Sequence, residues 1–168
     1  MLYDGVRIVM SNFEGVVMFP DRKYQIIYAD PPWSYQGEMM NSSATDHYPT
    51  MGLDNICSLP VSEIADENCV LFMWVTLPKL NEFMRVVDSW GFTYKSTAFV
   101  WAKTNKRSDT FFMGLGRWTR ANPELCILAT RGSVKRMSAG VRQLQVFPVQ
   151  EHSKTVSYTH LRAHETRE

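Results

Sequence analysis

"YQIIYADPPWSYQ", residues 24–36, opens as an apolar run and ends in an acid, two prolines and a tryptophan. Its first six residues read as a short strand buried on both sides. Pro31 and Pro32 fix φ and lack N–H donors, so sheet pairing cannot continue through them, and the carbonyls of Asp30 and Pro31 are left to accept from a ligand. A carboxylate therefore stands at the carboxyl end of a buried strand, where open α/β sheets hold their ligands. The same residues could also serve only to end a strand, with a capping acid and a packed indole.

Outward from this stretch, further strand candidates follow: "CVLFMWVT", "TYKSTAFVWAK", "ELCILATRG" and "RQLQVFPV". A short helix is expected near the end of "MGLDNICSLPVSEIADEN". In "LPKLNEFMRVVDSWG", Leu80, Phe83, Met84 and Val87 recur at helical spacing, with Pro78 near the start and Gly91 as the stop. Near-continuous apolar strands joined through helices predict an α/β fold built on a largely parallel sheet with helices on both faces. No repeat, linker or low-complexity run divides the chain, which reads as one domain.

Composition agrees with a globular chain: 168 residues, 45% hydrophobic, long enough for one real core. No apolar stretch approaches the roughly 20 residues of a membrane span, and the N-terminus carries acids that a signal peptide would not. A cytoplasmic protein with no membrane partner is expected. Cys57, Cys69 and Cys126 are odd in number and far apart, in apolar surroundings. They read as reduced core residues rather than as a disulfide or metal framework.

The net charge of +1 conceals an uneven distribution. From Lys103 to Arg142 nine bases (Lys103, Lys106, Arg107, Arg117, Arg120, Arg131, Lys135, Arg136, Arg142) stand against Asp109 and Glu124, a balance of +7. A solvated face is the ordinary meaning of such a segment. Here the bases interleave with Phe111, Phe112 and Trp118 in a glycine-containing loop, a pattern suited to phosphates alternating with stacked bases.

Read in order, "IIYADPPWSY", "HYPTMGLDNICSLPVSEIA", the span "CVLFMWV" to "VWAKTN", "MGLGRWTRANPELCILATRG" and "VQEHSK" resemble the MTA-70-like, or DPPW, family of adenine N6-methyltransferases, with spacing most like its bacterial and phage members. The resemblance runs from about Tyr24 to Lys154. It implies a Rossmann-like methyltransferase sheet, S-adenosylmethionine as cofactor and nucleic acid as partner, DNA in preference to RNA; a homodimer or heterodimer is compatible with it. Adenine's exocyclic amine is a poor nucleophile because its lone pair is delocalised. The Asp30 carboxylate and the Pro31 carbonyl would accept its two hydrogens, with Pro32 stiffening the corner and Trp33 stacking on the purine. Asp30 would also favour a sulfonium cofactor, and Lys154 is a further candidate cofactor contact. Tyr48, Lys103, Asn105, Arg117, Trp118 and Arg120 fall in blocks read as substrate-binding. Glu124 is expected to position a loop by pairing with Arg117 or Arg120, and Gly114 and Gly116 to give that loop flexibility. Trp74, Trp90 and Trp101 read as core.

The C-terminus departs from the family pattern. "TVSYTHLRAHET" is what one frame of a common transposase sequencing adapter encodes, so the expectation is a methyltransferase domain over 1–154 with its C-terminal part missing and an artefactual tail over 155–168. His160 and His164 are accordingly not read as a metal pair. Two alternatives accompany the enzyme reading: a catalytically inactive nucleic-acid-binding partner subunit, and an inactive truncated fragment.

Overall fold

The computed structural model describes residues 5–9, 19–34, 50–116, 118–136 and 138–149. Among the described residues ten elements follow one another. Strand β1 (Gly5–Val9) precedes β2 (Tyr24–Asp30); α1 (Leu53–Cys57) and α2 (Val61–Ile64) lead into β3 (Ala65–Val75). A 3-10 turn (Leu77–Lys79) and α3 (Phe83–Ser89) then deliver β4 (Thr93–Thr104), β5 (Glu124–Arg131) and β6 (Leu144–Pro148). One six-stranded sheet results, in the order β1-β2-β3-β5-β4-β6.

The sheet is mixed rather than largely parallel. β1, β2 and β3 are parallel neighbours, as are β4 and β6, whereas β5 is antiparallel to both β3 and β4. The reason lies in the connections. The β2–β3 and β3–β4 links carry helices and can cross over the sheet, but the described residues between β4 and β5 contain none, and the chain turns back on itself. Strand β1 lay outside the sequence expectation.

Alternation along the strands separates two apolar clusters. Ile27, Ala29, Leu71, Met73, Val75, Ile127 and Ala129 point to one side, where Ile56, Val61, Ile64, Val86, Val87 and Trp90 from the helices cover them. Tyr28, Trp74, Phe99, Trp101 and Cys126 occupy the other side, with Phe72 and Phe147 packed against them. Among the described residues, then, the helices cover one face only. Trp74, Trp90 and Trp101 are core on the strength of exposures of 5% or less, and Cys69 and Cys126 are buried thiols, with Cys57 half-buried.

The third helix departs in detail from its sequence pattern. It begins at Phe83, not near Pro78, so Leu80 precedes it and both Leu80 and Met84 are exposed, while Val86 and Val87 face the core. It stops as expected, with Gly91 at φ 78° directly after the Trp90 cap.

Candidate active site at the carboxyl edge of the sheet

The proline corner is held from three directions. Across Pro32, the Trp33 amide donates to the Pro31 carbonyl at 2.9 Å, a tight three-residue turn. The Met51 amide donates to the Pro32 carbonyl at 2.8 Å, and Trp33 and Met51 form an isolated parallel bridge. Finally, the Trp33 indole N–H donates to the Trp74 carbonyl at 3.0 Å. The Pro31 carbonyl is thus already an acceptor within the chain, contrary to the expectation of a free group. Its second lone pair is what remains for a ligand.

Trp33 is 5% exposed and belongs to the cluster beneath the helices. Its ring is spent on packing and its N–H on Trp74, which is the arrangement of an anchor rather than of an open stacking platform.

Asp30, half-buried, is the last residue of β2 and lies two residues beyond Tyr28, on the face opposite the helices. On that face Trp74 Nε1 donates to the Tyr28 hydroxyl, and the Cys126 thiol is pushed upward first by burial and then by the negative charge of Asp30. The carboxylate therefore acts on the aromatic face of the sheet, at its carboxyl edge.

Lys103 and Glu124 sit on adjacent strands. Trp101 faces Glu124 in the β4–β5 register, and Lys103, two residues on, shares the side of Trp101. The Lys103 Nζ forms an ion pair with Glu124 Oε1 and lies 5.0 Å from the centre of the Trp101 ring. Glu124 thus pairs with Lys103 rather than with Arg120, because strand register brings the lysine to it; the other expected partner, Arg117, lies outside the described residues.

The loop between β4 and β5 is organised by two asparagines. Asn105 Nδ2 donates to Thr110 Oγ1 at 2.8 Å and its backbone amide to the Thr110 carbonyl at 2.9 Å. Asn122, which sequence reasoning passed over, accepts from the Lys103 amide at 2.9 Å and donates to the carbonyls of Lys103 and Phe112 at 2.9 and 2.5 Å. The available signal was "ANPE": an Asn before Pro at a strand entrance is a residue suited to bonding nearby backbone.

Gly114 and Gly116 serve close approach rather than flexibility. A Cβ at Gly116 would lie 1.9 Å from the Thr119 carbonyl oxygen, and one at Gly114 would lie 2.8 Å from that of Ala121. The loop so folded presents Phe111, Met113, Leu115 and Trp118 outward, Trp118 at 92% exposure, beside exposed Lys106, Arg107 and Arg120. Tyr48, Arg117, Lys154 and the stretch 155–168 lie outside the described residues. Among the described residues no cluster of three or more His, Cys, Asp or Glu could hold a metal, and no helix is long and apolar enough to cross a membrane.

An α/β chain with a carboxylate on a braced proline corner at the carboxyl edge of its sheet belongs to a class whose ligands meet the strand ends. Residues 24–163 match the MT-A70 family, and the chain belongs to that family. The match continues past Lys154. The chain is similar to the type II methyltransferase M.MunI of a Mycoplasma species, at 35% identity over 80% of this chain and 64% of that protein. It is also similar to the human N(6)-adenosine-methyltransferase catalytic subunit METTL3, at 25% identity over 71% of this chain and 19% of that protein, and to an MT-A70-like protein of Drosophila melanogaster, at 26% identity over 71% and 18%. The chain therefore spans just under two thirds of the first of these relatives and about a fifth of the others.

Proposed function

We infer that this chain transfers a methyl group from S-adenosylmethionine to the N6 amine of adenine in nucleic acid, DNA in preference to RNA, on a Rossmann-like sheet. The observation that carries the reading is Asp30 at the end of β2, on a corner braced by Trp33, Met51 and Trp74. Family membership and relatives named as methyltransferases, two of them as N(6)-adenosine-methyltransferases, support it. The preference for DNA rests on the short spacing between sequence blocks.

When bound, the cofactor supplies an electrophilic methyl on a sulfonium cation. Asp30 fits such a group in charge and placement, and it accepts a hydrogen from the adenine amine, with the second lone pair of the Pro31 carbonyl as the other acceptor. These two acceptors turn the nitrogen lone pair out of conjugation and aim it. The brace from Trp33 keeps them in position, which converts binding into orientation. Lys103 contributes by fixing Glu124 and the strand end, and Asn105 by shaping the loop. Arg117, Trp118, Arg120 and Tyr48 are proposed contacts to the nucleic acid, and Lys154 to the cofactor.

The test is methyl transfer from radiolabelled S-adenosylmethionine to adenine-containing single-stranded and duplex oligonucleotides, with inosine replacing adenine as the control. Asp30→Asn and Asp30→Ala should lower turnover by about a hundredfold or more, with oligonucleotide affinity changed much less. Turnover of Asp30→Ala equal to that of the parent overturns the assignment.

A further inference from the structure

Beneath the loop between β4 and β5 lies an open cleft of about 520 Å³, floored by Val100 and Ala102 and rimmed by Phe111, Met113 and Arg120. Its walls are mostly apolar, and its rim residues Phe111 and Met113 are 66% and 72% exposed. Trp101 and Lys103 point to the aromatic face of the sheet, so Val100 and Ala102 between and before them point to the other. Asp30 shares the aromatic face through Tyr28. Cleft and carboxylate therefore occupy the same end of the sheet on opposite faces, separated by three strand spacings, roughly 14 Å.

We propose that this cleft is a second base-binding subsite, which receives an unstacked nucleobase flanking the target adenine. The inference rests on the nucleic-acid reading above and adds to it where a neighbouring nucleotide goes. Three features select this occupant. The cleft is large enough for a base and apolar enough to favour a π-face, and Phe111 at the rim offers a stacking partner. Its one charged lining residue is the cation Arg120, and Lys106 and Arg107 lie on the same loop against the single acid Asp109, which suits the phosphates on either side of the base. The polar lining residue Asn122 already spends its amide on Lys103 and Phe112, so the site reads shape and stacking rather than base edges. A strand crossing the carboxyl edge of the sheet would span the gap with roughly two to four nucleotides, given about 3.4 Å per stacked step and more when extended.

The experiment is an abasic scan. Fluorescein-labelled single-stranded and duplex DNA oligonucleotides, each with one abasic position, are titrated with the chain and with Phe111→Ala and Ala102→Leu, which remove the rim and fill the floor respectively. For the parent, affinity should fall about tenfold at one flanking position as well as at the target adenine. In both variants the flanking penalty should shrink below about twofold while the target penalty stays. A penalty confined to the target adenine, or a flanking penalty that survives both substitutions, overturns the subsite and leaves the methyltransferase reading standing. Failure of the parent to bind any oligonucleotide overturns that reading and the subsite together. Sedimentation showing a dimer that Phe111→Ala dissociates, with no flanking penalty, overturns the subsite and gives the cleft to a second copy of the chain.

Discussion

The Trp33 indole N–H donates to the backbone carbonyl of Trp74 at 3.0 Å, and Trp74 in turn donates its own indole N–H to the Tyr28 hydroxyl. One tryptophan thus ties the proline corner to β3, and the next ties β3 back to β2, two residues before Asp30. The acidic corner is fixed by buried donors with single partners, not by its prolines alone.

This arrangement gives the first prediction. Trp33→Phe keeps most of the bulk but removes the donor, leaving a buried carbonyl without that partner, so stability should fall by about 1–3 kcal/mol. Trp33→Ala adds a cavity and should cost about 3–5 kcal/mol. Urea unfolding followed by circular dichroism reads both. A Trp33→Phe midpoint equal to that of the parent would remove the indole from its anchoring role.

How much of this was legible in the sequence depends on what each residue had to meet. β2 and the corner were legible because an apolar run, an acid and two prolines act locally. Strand β5 was legible as a strand, but its reversed direction follows from a loop that has no helix among its described residues and is tied by Asn105 and Asn122. The partner of Glu124 was not legible at all, since strand register brings together two residues 21 positions apart in sequence. Trp33 shows the same limit: a tryptophan in a ligand corner can stack on a substrate or anchor the backbone, and only the carbonyl of Trp74 decides.

Lys103 and Glu124 supply the second prediction. Their side chains are 18% and 35% exposed, so the pair is less screened than a surface bridge, and breaking it from one side leaves a partly buried charge. Lys103→Met and Glu124→Gln should each destabilise, the double variant less than their sum, with a coupling of about 1 kcal/mol. Were Lys103 instead a phosphate contact, Lys103→Met would reduce the salt slope of oligonucleotide binding by about one. The expected outcome is an unchanged slope.

A third prediction concerns the end of β5. Gly132 has φ 67°, and a Cβ there would stand 2.1 Å from the Glu67 carbonyl oxygen and 2.6 Å from Asn68 Oδ1, which accepts from the Ser133 amide at 2.7 Å. Backbone conformation and contact both oppose a side chain, so Gly132→Ala should cost about 2 kcal/mol or more. Gly52, with nothing within 4 Å of a built Cβ, is the control, and Gly52→Ala should change stability by less than about 0.5 kcal/mol. Equal effects of the two would show that the β5 turn relaxes freely.

The last prediction is a pH dependence carried by two thiols. Burial pushes Cys69 up to about 12, and burial followed by the charge of Asp30 raises Cys126 well above its ordinary value of 9.0. In the unfolded chain both thiols ionise near that ordinary value, whereas in the native protein they keep their protons. Above pH 9 the unfolded state therefore binds fewer protons than the native one, and stability must fall as pH rises, by about 1.4 kcal/mol per unit for each thiol, until the native thiols ionise. Below pH 9 the two states hold the same thiol protons and the contribution is flat. Urea unfolding under reducing conditions at pH 8, 9.5 and 10.5 should show this loss in the parent, and a Cys69→Ala, Cys126→Ala variant, less stable at pH 8, should lose stability less steeply with pH. Parallel pH curves for parent and variant would mean that the thiols ionise alike in both states, and that burial in the two clusters on either face of the sheet does not hold their protons.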